Sequence, residues 1–156
     1  MKTIAKIQLT TLCFLLLTFN ALAQKPVRLN WQTNFEAISK QARIEKKPVL
    51  LFFHGSDWCP GCIQMSNEVF KTADFIDFAS KKVLFLDVDF PIHTKLPAKQ
   101  LEQNTNLKKK FLLPSDPTQG YPQVVIIDAK GKILYQEKGY RGEGPKKLMN
   151  IIKGTL

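Results

Sequence analysis

The stretch Val49-Leu50-Leu51-Phe52-Phe53, followed shortly by Trp58-Cys59-Pro60-Gly61-Cys62, decides how this chain folds. The first segment is apolar without alternation, as in a strand covered on both faces. Proline directly after Cys59 suits the first turn of a helix, where its missing N–H costs nothing. Two thiols separated by two residues close and reopen a disulfide with little backbone movement. A sulfur at a helix N-terminus feels the positive end of the dipole, which favours its thiolate. Strand, short loop and helix opening on a cysteine together suit thiol–disulfide exchange.

The start of the chain reads as a leader. Lys2 and Lys6 form a basic beginning, Leu9 to Phe19 is apolar, and Ala21-Leu22-Ala23 fits the small-x-small pattern of a signal-peptidase site. The apolar stretch is shorter than the roughly 20 residues a membrane span needs. Residues 1–23 are therefore expected to be cleaved, and residues 24–156 to form a single domain. Cys13 leaves with the leader, so Cys59 and Cys62 are the cysteines of the mature chain. Export places them where disulfides persist. As a structural staple the pair is poor, since so short a loop removes only about 2 kcal/mol of chain entropy.

The formal net charge is +10, and +8 once Lys2 and Lys6 are gone. Lysines cluster at 46–47, 81–82, 108–110 and 146–147, but no basic block is interleaved with aromatics and no nucleic-acid motif appears. A solvated basic surface is expected, with no nucleic-acid partner. A C-x-x-C pair also begins many zinc sites. Zinc needs four ligands, and His54 and His93, the two available histidines, lack partners at ligand spacing. No metal is expected.

Beyond the dithiol, Thr33-Asn34-Phe35-Glu36 has capping-box spacing, with Phe35, Ile38 and Ala42 at helical intervals. That helix should end before Pro48. The helix after Cys59 puts Cys62, Met65 and Val69 on one side, which predicts an exposed first thiol and a sheltered second one. A short helix follows over 74–80, then a strand over 83–88. Pro97 to Phe111 reads as a helix with Leu101, Leu107 and Phe111 inward, and 113–120 as a loop. Val124–Ile127 and Ile133–Glu137 form an antiparallel hairpin. Pro145 opens a last helix carrying Leu148, Ile151 and Ile152.

This order, with the dithiol after the first strong strand and Tyr121-Pro122 ahead of a buried one, resembles the thioredoxin fold over about residues 31–153. The expected class is α/β: a central mixed sheet flanked by helices, with a C-terminal antiparallel hairpin and helix. Within that superfamily the chain is most similar to exported disulfide oxidoreductases, and to the DsbH-type periplasmic reductases among them. The resemblance implies a periplasmic reductase of protein disulfides that works as a monomer. Its electrons would come from a DsbD-type membrane donor, with no cofactor beyond the Cys59–Cys62 disulfide. Disulfide oxidant or isomerase, cytochrome c maturation, and a peptide-binding module with an incidental dithiol are the alternatives.

In that scheme Cys59 is the nucleophile and Cys62 resolves the mixed disulfide. Tyr121-Pro122 matches the place where such proteins carry a cis-proline facing the dithiol. With Trp58, Pro60 and Gly61 these residues would line the substrate groove. No histidine lies between the cysteines, and Asp57 stands two residues before Cys59, where its charge opposes the thiolate. Both features point to a reducing couple. One departure stands out: thioredoxins typically carry a buried aspartate six residues before the first cysteine, and here that position is Phe53. Alternation along the strand is expected to turn His54 away from that face, leaving it a structural or surface residue.

Overall fold

The computed structural model describes residues 28–112 and 120–156. The expected leader (1–23) and most of the expected loop at 113–120 lie outside them. The elements run β1 (Trp31–Gln32), α1 (Phe35–Glu45), β2 (Val49–His54), α2 (Pro60–Met65), a π-helical turn (Ser66–Phe70), α3 (Ala73–Ala79), β3 (Leu84–Asp89), α4 (Ala98–Phe111), β4 (Gln123–Ile127), β5 (Ile133–Lys138) and α5 (Pro145–Gly154). The strands form one mixed sheet in the order β1-β3-β2-β4-β5. β3 runs parallel to β1 and β2, while β4 is antiparallel to both β2 and β5.

The unbroken apolar run of β2 is explained by its central place, with a core on each face. On one side Leu50 and Phe52 pack with Phe85, Val124 and Ile126 under α2, the π-helical turn, α3 and α5. On the other, Val49, Leu51 and Phe53 join Leu84, Leu86 and Val88 under α1 and α4. Burying a side chain of this size is worth about 1.5–3 kcal/mol, so the central strand anchors the fold. The short β1 is an addition to the expected elements. It docks on β3, and Trp31 packs edge-on against Phe70 and Phe85 at 5.1 and 5.2 Å between ring centroids.

Two local expectations are corrected. Asn34, not Thr33, caps α1: its side-chain oxygen accepts from the Ala37 N–H at 2.9 Å. In α4 Leu107 and Phe111 are buried as expected, but Leu101 is exposed and the fully buried position is Asn104. The Asn104 amide donates to the Asp89 carbonyl at 2.8 Å and its oxygen accepts from Gln100 at 2.9 Å. A buried polar group is tolerated when both of its ends are bonded. Here it fastens α4 to the end of β3, beside the dithiol loop.

Candidate active site

The loop after β2 is built around Trp58. Its indole N–H donates to the Phe90 carbonyl at 2.7 Å, beyond the end of β3. Asp57, next to it, accepts from the backbone N–H groups of Ile92, His93 and Thr94 at 2.8–2.9 Å. Desolvation works against the charge. The three amide donors outweigh it and hold the carboxyl below the ordinary aspartate range. The Asp57 charge is thus committed to the 92–94 segment.

Cys59 is the N-cap of α2 and Pro60 its first residue. The two sulfurs are joined in a disulfide, with Cα atoms 5.2 Å apart, and Cys59 Sγ accepts from the Cys62 N–H at 3.2 Å. The expected contrast in exposure is corrected. Both residues are buried, Cys59 at 5% exposure and Cys62 at 1%. In the disulfide, Cys59 turns its sulfur inward to its partner, and both join the apolar cluster against which Tyr121 packs.

The Tyr121–Pro122 peptide bond is cis. A Cβ built on Gly61 would sit 3.5 Å from Pro122 Cδ, so the first turn of α2 and the loop before β4 face each other closely. Tyr121 meets Trp58 edge-on at 5.9 Å and stacks on Phe90 at 5.6 Å. Lys108 from α4 lies over both the Tyr121 and Phe90 rings, at 5.3 and 5.6 Å. Burial pushes the Tyr121 hydroxyl up to about 12, so it stays protonated. Trp58, Pro60, Gly61, Tyr121 and Pro122 are therefore gathered around the dithiol. Phe90 and Lys108 complete the aromatic wall, and neither stands out in the sequence.

The expected orientations at 53 and 54 are reversed. Phe53 belongs to the core on the α1 and α4 side. Phe52 shares the cluster of Cys59 and Cys62, and His54, two residues on, stacks over the Phe52 ring at 4.4 Å. A run apolar at every position carries no phase, so alternation could not say which residues face the dithiol. Asp87 and Asp89, alternate charges within an otherwise apolar strand, could have said it. Asp87 bonds to His54 Nε2, and Asp89 lies 3.8 Å from His54 Nδ1. Among the described residues no cluster of histidine, cysteine and acids is arranged to hold a metal ion.

Comparison with known proteins agrees with this geometry. The thioredoxin-like domain family matches residues 35–152. The chain belongs to the thioredoxin-like family. It is 33% identical over 128 residues to the disulfide bond reductase DsbH of Chlamydia pneumoniae, covering 82% of this chain and 73% of that protein. A solved DsbH oxidoreductase superposes with a TM-score of 0.73 at 29% identity, over 88% of this chain and 92% of that one. The oxidised C-terminal domain of DsbD from Neisseria meningitidis shares the fold, with a TM-score of 0.54 at 17% identity over 79% and 97% of the two chains. With its Cys59–Cys62 pair, this member of the thioredoxin-like family is a DsbH-like thiol:disulfide oxidoreductase.

Proposed function

We propose that the chain is an exported protein-disulfide reductase acting in the periplasm. The observation that carries this reading is the Cys59–Cys62 disulfide at the start of α2, set against Pro122 in a chain similar to DsbH over most of its length. Reduced Cys59 attacks a partner's disulfide and forms a mixed disulfide. Cys62 then attacks Cys59 and releases the partner as a dithiol. Trp58 and Tyr121 form the walls of the groove, with Pro60, Gly61 and Pro122 as its floor. The backbone at Tyr121 would pair with an extended substrate segment in the manner of strand addition. Asp57 ties the loop ahead of Cys59 to the 92–94 segment, and its charge, engaged there, tunes the couple only weakly. A DsbD-type membrane protein restores the dithiol.

Equilibrating the protein with glutathione tests the direction. A reductase is expected to lie well below the roughly −180 to −230 mV span of isomerases and glutaredoxins, nearer the thioredoxin value of about −270 mV. A value near −120 mV, that of the strongest oxidant of this kind, would overturn the assignment. Cys62→Ser tests the partners by trapping mixed disulfides through Cys59 in the cell envelope. Recovery of a DsbD-type protein is expected. Recovery of a quinone-linked oxidase instead would identify an oxidant. A peptide-binding module would show no insulin reduction above the dithiothreitol background.

A further inference from the structure

A thiolate, not a thiol, attacks a disulfide, so Cys62 must lose a proton before it can resolve a mixed disulfide. Its apolar burial opposes that loss. The route out of the cluster is visible. Cys62 opens onto a cavity of about 250 Å³ whose wall also carries His54, Ser56, Asn67 and Lys71. Lys71 donates to the Asn67 side-chain oxygen at 2.7 Å, and lysine is a donor rather than an acceptor. Serine hydroxyls and the Asn67 amide are not bases near neutral pH. Among the described residues on this wall, His54 alone carries a ring nitrogen that can act as a proton acceptor.

The imidazole is held for the task. It stacks on Phe52, and its side chain is only 12% exposed. Nε2 bonds to the Asp87 carboxylate. A carboxylate only accepts, so Nε2 is the donor in this bond and Nδ1 is the ring nitrogen left for exchange. Asp89, fixed by the Ser56 N–H at 2.8 Å and hydroxyl at 2.6 Å, stands 3.8 Å from Nδ1. A proton arriving on Nδ1 thus produces an imidazolium flanked by two carboxylates.

We propose that His54 is the proton acceptor for Cys62, with Asp87 as its positioning residue. The cavity is wide enough for a water to bridge the two. The Cys62 proton passes to Nδ1, and the thiolate attacks Cys59 Sγ. The Cys59–Cys62 bond forms as the bond from Cys59 to the partner breaks, and the partner's sulfur leaves with the electron pair. In the reverse direction His54 returns the proton to Cys62. This deepens the exchange chemistry proposed above and rests on it.

The test uses reduced protein carrying Cys13→Ser, so that two thiols alone report. One equivalent of dithiobisnitrobenzoate releases its coloured thiol in two phases: attack by Cys59, then resolution by Cys62. His54→Gln is expected to leave the first phase unchanged and to slow the second on the order of 100-fold near neutral pH. The deficit should narrow at pH well above the ordinary thiol value of about 8.5, where hydroxide takes over the role of the imidazole. Asp87→Asn should slow the second phase less, with the same narrowing at high pH, and stands in should His54→Gln not fold. An unchanged second phase, a deficit undiminished at high pH, or equal slowing of both phases overturns the assignment. Absence of the two phases from the parent protein would overturn the exchange chemistry itself.

Discussion

A Cβ placed on Gly55 would fall 2.3 Å from Nε1 and Cε2 of the Trp58 indole. Glycine at 55 is thus the condition for Trp58 to fold back over the loop and reach Phe90. Gly55→Ala should expel the indole and break its 2.7 Å hydrogen bond to the Phe90 carbonyl. A loss on the order of 1–3 kcal/mol in urea denaturation is expected, with reduced insulin reduction. Gly61→Ala, by contrast, meets Pro122 at an ordinary contact distance and should leave stability nearly unchanged.

Asp57→Asn removes the charge that gathers the amides of Ile92, His93 and Thr94. Hydrogen exchange at those three amides should quicken as the segment they belong to opens more often. The redox potential should move by less than about 30 mV, a tenfold change in the exchange constant, because the carboxylate is engaged by the loop. A larger shift would mean that its charge acts directly on Cys59.

Asn104 and Leu101 invert the usual ranking of helix positions. Asn104→Ala leaves the Asp89 carbonyl without its side-chain donor and should cost about 1–3 kcal/mol. Leu101→Ala, at an exposed site, should stay within about 0.5 kcal/mol. Thermal denaturation of the two variants side by side checks both.

Acid should weaken the turn before α5. The Arg141 backbone N–H, aided by the Lys147 ammonium at 3.1 Å, lowers the Glu143 carboxyl to about 2. A group lowered on folding stabilises above its unfolded value, about 4.3. That contribution is lost as pH falls through the folded value. The melting-temperature gap between wild type and Glu143→Gln should therefore be full near pH 6 and shrink steadily between about pH 4.3 and 2. The site is exposed, so high salt should narrow the gap.

The sheet and the dithiol helix were legible because their signals are local: apolar runs, a proline after Cys59, a proline opening α5. What stayed hidden depends on tertiary partners. Leu101 and Asn104 sit three residues apart on one helix, and periodicity favours the apolar residue inward. The Asp89 carbonyl that draws Asn104 in belongs to another strand. His54 and Phe53 could not be phased within an unbroken apolar segment. β1 is two residues long, too short for any pattern. Phe90 and Lys108 reach the site from the ends of β3 and α4, far from the cysteines in sequence.

The cover over both cysteines has a consequence for timing. With so little of Cys59 and Cys62 open to solvent, stray small thiols and oxidants collide with the surface far more often than with the bond. A partner of any size reaches it only as the cover gives way. How fast the molecule trades electrons is therefore set by how its cover moves as well as by its potential.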